Sequence, residues 1–150
     1  MMRKLKFGFD PWGLLLFLAV MLPNFVWFAL PAPNDILRGE SVTPILDGIA
    51  SMLQALLAAA LCLIVRTEGP RFSWKSPRTG GALVSLALYY AAWAAYYGGI
   101  VAPALLIALC VLPCAAFLLF EAERRNWIAL LPTAAFSVCH LTSGIINFLL

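Results

Sequence analysis

The residues from which chemistry would have to come are few in this 150-residue chain. They are Asn24, Asp47, Ser51, Gln54, Tyr89, Trp93, His140 and Asn147, and each stands inside a long apolar run. As a base for a serine on another helix, such as Ser51, His140 would make an intramembrane hydrolase. Thr142-Ser143-Gly144, however, is only a fragment of a nucleophile motif, and Ser143 follows His140 without sharing its helical face. There is no HExxH zinc motif and no Gly-rich phosphate loop. Cys139 and His140 diverge by about 100° on a helix, which leaves a metal short of ligands. Cys110 and Cys114, four residues apart, suit a soft metal but equally suit apolar packing. The expectation is no catalytic residue, no metal and no cofactor.

The elements that carry these residues are set by composition. Hydrophobic residues make up 63% of the chain and charged residues 11%, whereas soluble domains run near half and a quarter. A water-soluble fold of this size could not cover so much apolar surface, so lipid is the expected solvent. A helix needs about 20 apolar residues to cross the hydrocarbon core. Five such runs are read, at about 11–30, 44–65, 81–100, 101–120 and 127–150, with Gly98-Gly99 and Pro103 breaking the long uncharged stretch into a hairpin. In lipid each run must be helical, because unpaired backbone groups find no water. The fold class expected is all-α, a single bundle of five transmembrane helices. Cys62, Cys110, Cys114 and Cys139 all fall in apolar runs and read as small buried hydrophobes rather than a disulfide framework. No repeat of about 20–50 residues is visible.

Orientation follows from the loop cations. Arg3, Lys4, Lys6, Arg66, Arg71, Lys75, Arg78, Arg124 and Arg125 sort to one side, and Arg38 alone to the other, beside Asp35 and Glu40. The N-terminus is therefore expected inside and the C-terminus outside. The N-terminal cations and the apolar run after them resemble a signal peptide, but that run continues to Leu30, and Pro31 and Pro33 spoil a cleavage site. In the loop between the second and third spans, Arg66, Arg71, Lys75 and Arg78 stand among Phe72 and Trp74. They are expected to hold anionic lipid head groups, or simply to orient and anchor the helices. Nucleic-acid binding has no support, because these cations sit in short loops beside lipid.

Polar residues in a span are costly and face protein. At 100° per residue, Asp47, Ser51, Gln54, Ala58 and Cys62 share an arc of about 80°, as do Thr133, Ser137, His140, Gly144 and Asn147. Tyr89, Tyr90, Trp93, Tyr96 and Tyr97 cover about 120° of the third span. The opposite face of that span, with Gly80, Ala87, Ala91, Ala94, Ala95 and Gly98, would admit a neighbouring helix closely. Asn24, Ser51 and His140 come out at similar depth, so polar groups gather in the outer half. Simpler roles exist for each. Asp47 follows Thr43-Pro44 and could only complement a helix dipole. Asn24 could repair the kink at Pro23. Tyr96 and Tyr97 could form an aromatic belt, and His140 could be a packing element.

Met21-Leu22-Pro23-Asn24 at the end of the first span, together with Cys139-His140 in the last, resembles a group of small uncharacterised bacterial multi-spanning inner-membrane proteins. Those relatives end in a basic tail, whereas this chain ends at Leu149-Leu150. The resemblance implies a bacterial inner membrane and nothing about mechanism.

Two function classes remain. One is an outward-facing polar and aromatic pocket, lined by the eight residues named at the outset, that binds or helps to move a small molecule. The other is a non-catalytic interaction or scaffold subunit with a membrane-protein partner, its polar groups serving only to join helices. A cavity open to the outside would favour the first, and a filled centre with paired polar groups the second.

Overall fold

The computed structural model describes residues 5–67 and 73–150. Arg3, Lys4, Arg71 and Phe72, which figure in the charge and lipid readings, lie outside the described residues. The order is β1 (Leu5–Phe7), α1 (Pro11–Ala29), a short turn of 3-10 helix (Ile36–Arg38), α2 (Pro44–Leu63), β2 (Ile64–Arg66), α3 (Pro77–Tyr97), α4 (Pro103–Arg124) and α5 (Trp127–Phe148). Four of the five long helices begin on proline, whose missing N–H costs nothing in a first turn. Asp10 caps α1 by accepting from the Trp12 and Gly13 amides at 3.0 and 3.3 Å. Asn126 caps α5 through the Ala129 amide at 3.2 Å. Between α3 and α4 the chain turns at Gly99, whose φ of 87° suits glycine.

Four helices, α1, α2, α4 and α5, are long and apolar enough to cross a membrane, which places the chain in one. The five-span expectation is therefore corrected. α3 is long enough at 21 residues, but it opens on Pro77-Arg78-Thr79-Gly80-Gly81 and carries all four tyrosines of the chain. Its tyrosines, glycines and polar opening make it the least hydrophobic of the long helices. With α3 outside the set, the inside N-terminus and outside C-terminus no longer follow from a count of crossings.

The closest helix pairs are α3 with α4, α2 with α5 and α4 with α5, while α1 leans more lightly on α2, α3 and α4. The core holds Leu57, Leu61, Tyr96, Ala116, Phe117 and Phe120, all nearly inaccessible. Helices approach tightly at two glycines. A Cβ on Gly13 would come within 2.5 Å of the Leu61 carbonyl oxygen, and one on Gly144 within 2.7 Å of Cys110 Sγ. The four cysteines are free thiols.

Candidate functional site

Pro23 interrupts α1 and removes the N–H that would bond the carbonyl four residues back. That orphan is the Ala19 oxygen, and it is Tyr90 of α3 that supplies the proton, at 2.7 Å. Asn24 instead donates to the Val20 oxygen at 3.1 Å and to the Tyr89 hydroxyl at 2.8 Å. The kink is thus repaired by the neighbouring helix, and Asn24 joins α1 to α3.

Around this point lies a cavity of about 300 Å3 bordered by all five long helices. Asn24, Asp47, Ser51, Gln54, Tyr89, Trp93 and His140 border it; Asn147 does not. Gln54 donates to the Met21 thioether at 3.3 Å, and the His140 ring stacks on Phe136 with centroids 5.1 Å apart. The outward-facing aromatic pocket, however, is not what these residues form. Tyr89 is 2% exposed, Trp93 6% and Tyr96 fully buried. Trp93 packs edge-to-face against Tyr89 and Tyr96, at centroid distances of 6.3 and 5.8 Å. The aromatic arc is a packed internal cluster, because large rings gain most by leaving the surface.

Asp47 faces α5. Its carboxylate accepts from Ser143 and Ser41 and, at 3.5 Å, from Thr43. Asn147 donates to Thr43 Oγ1 at 2.6 Å and accepts from the Val42 amide at 2.7 Å. Thr43 does stand at the N-cap of α2, but its side chain makes no capping bond; it is taken up by this cluster. Ser51 turns back to the Asp47 carbonyl of its own helix at 2.8 Å.

A second cluster, not foreseen from the sequence, centres on Asp35 in the α1–α2 connection. Trp27 Nε1 donates to both carboxylate oxygens at 2.9 and 3.0 Å. The Tyr96 hydroxyl donates at 2.9 Å, Arg38 Nε at 2.7 Å and the Ala32 amide at 3.2 Å. Burial alone would raise the Asp35 pKa, but the donors Trp27, Tyr96, Arg38 and Ala32 together hold it below the usual 3.8. The Arg38 guanidinium lies 4.8 Å above the Trp27 ring. Tyr96 is therefore no belt residue, and Tyr97 is a latch, donating to the Leu30 carbonyl at 2.7 Å. The sequence signal for this hub was the isolated Arg38 three residues after Asp35.

At the opposite end, Arg124 reaches the α1 cap Asp10 at 2.6 Å, and Asn126 donates to the Ala60 and Ile64 carbonyls at 3.2 and 2.9 Å. Glu121, near the end of α4, is fully buried and accepts from Thr133 at 2.6 Å. Among the described residues no three His, Cys, Asp or Glu side chains gather as metal ligands.

The small face of α3 is also corrected. The helix buries Thr79, Ala82, Tyr89, Ala92, Trp93 and Tyr96, while Ala87, Ala91, Ala94 and Gly98 are exposed. A Cβ on Gly80 would meet nothing within 4 Å. Burying the aromatic face satisfies four phenol hydroxyls, and that outweighs the close approach the alanines would permit.

No family model, curated protein or solved structure matches this chain.

Proposed function

We propose that this chain is a non-catalytic membrane protein of a bacterial inner membrane that works by assembling side by side with another membrane helix, its second copy first among them. The observation that carries the reading is the outer face of α3. Gly80, Ala87, Ala91, Ala94 and Gly98 fall in an arc of about 60°, and the four nearest its C-terminal end point away from the bundle. Small residues aligned in this way let helix backbones approach. The internal polar groups support the same reading, since Asn24, Asp47 and Asn147 are engaged with other side chains of the bundle. The bacterial inner membrane rests on the resemblance at Met21-Leu22-Pro23-Asn24 and Cys139-His140.

The test is Ala91→Leu combined with Ala94→Leu, with oligomeric state read by counting photobleaching steps of labelled chains in planar bilayers. The native chain should show two or more steps and the variant one, with unchanged melting temperature. A native chain that stays single at every density, or a variant that loses stability as fast as association, would overturn the reading.

A further inference from the structure

A separate groove opens where α1 and α3 part. It holds about 110 Å3 and is walled by apolar side chains, among them Trp12, Leu16 and Ala19 of α1 and Leu83 of α3, with Trp74 just before that helix. Trp12 and Trp74 meet edge-to-face at 5.9 Å. The one hydroxyl in the wall is Thr79, whose residue is 2% exposed and whose Oγ1 has no hydrogen-bond partner among the described residues. A buried hydroxyl left unpaired is costly, so this wall is built to receive an oxygen.

Charge indicates which molecule brings it. Lys75 and Arg78 immediately flank Trp74 and Thr79 in sequence, and both are exposed. Arg78 has only a loose ion pair, 3.7 Å from Glu123, with its side chain 55% exposed. Arg124 does not compete for a ligand, being held by Asp10. Hydrocarbon walls, tryptophan rings, a buried donor and adjacent exposed cations match an acyl chain, an ester oxygen and a phosphate in that order.

We propose that this groove holds one acyl chain of an anionic phospholipid, with Thr79 donating to its ester region and Lys75 and Arg78 holding its phosphate. The site is independent of the association face, which lies on the α3 stripe of alanines.

The experiment places the full chain in phosphatidylcholine nanodiscs containing a minor, equal fraction of either brominated phosphatidylglycerol or brominated phosphatidylcholine, and reads tryptophan fluorescence. Bromine quenches on contact, so the native chain should be quenched more by the brominated phosphatidylglycerol. That difference should vanish in Lys75→Gln/Arg78→Gln, whose substitutions are on exposed positions and leave the core intact. It should also vanish in Trp12→Phe/Trp74→Phe, which locates the quenched rings. Thr79→Val, of equal shape, should reduce it. Equal quenching by the two lipids in the native chain, or a preference that survives loss of both cations, would overturn the proposal.

Discussion

Two carboxylates of this protein have almost the same exposure and opposite surroundings. The Asp35 side chain is 8% exposed and receives donors from Trp27, Tyr96, Arg38 and Ala32. Glu121 is fully buried, receives one donor from Thr133, and its second oxygen has no partner among the described residues. Burial therefore does not by itself decide what an acid does. Asp35 is a junction at which a loop, α1 and α3 are joined through one negative charge. Glu121 is a single contact between α4 and α5 that uses half of its carboxyl group.

Removing Asp35 should have the largest effect. Asp35→Ala leaves Trp27 Nε1, Tyr96 Oη and the Arg38 charge without their acceptor, and should cost about 3 kcal/mol, measured by thermal unfolding in detergent. A loss no greater than that of a surface substitution would erase the contrast. The same residue predicts an acid limb. Its pKa is lower folded than unfolded, so its stabilisation is complete above the ordinary value of 3.8 and is lost as pH falls through the folded pKa. A titration of melting temperature should show this decline, and Asp35→Asn should flatten it.

Thr133→Val removes the only donor to Glu121 among the described residues and should cost about 1–2 kcal/mol. Tyr90→Phe should cost about 1 kcal/mol, because it strands the Ala19 carbonyl opened by Pro23, where no other helix N–H can reach. Glu121→Gln should be mildest, within about 1 kcal/mol, since an amide oxygen accepts the same Thr133 bond. If Glu121→Gln proves as harmful as Asp35→Ala, then the charge of Glu121 matters, and the two acids are more alike than their partners suggest.

Much of the helical layout was legible because hydrocarbon imposes one rule on every segment. Prolines and glycines then marked the ends, as at Pro44, Pro103 and Gly98-Gly99. Periodicity likewise put Asp47, Ser51 and Gln54 on one face of α2, and all three border the central cavity. What could not be read was which face of α3 would turn inward. An alanine stripe and an aromatic stripe are both reasons to bury a face, and only the positions of Ala19, Leu30 and Asp35 on other elements decide between them. The α3 composition, read as one more span, is really that of a helix whose phenols serve α1 and its loop. Asp35 was missed for a related reason. Its partners are 3 to 61 residues away in sequence, and a loop acid looks the same whether it is solvated or central.

The short ladder between β1 and β2 has a consequence for how the chain is made. Leu5 pairs with Arg66, Lys6 with Val65 and Phe7 with Ile64, and the Gly8 and Asp10 amides continue the clasp onto the Leu63 and Cys62 carbonyls. Every one of these bonds is between backbones, and a Cβ on Gly8 would come within 2.6 Å of the Val65 side chain. During synthesis the first of these segments leaves the ribosome long before its partner exists, and it must wait until α2 is complete. The start of α1 is then fixed by a lock that closes only after the second helix has been delivered, which makes the α1–α2 pair the earliest unit able to commit to its final geometry.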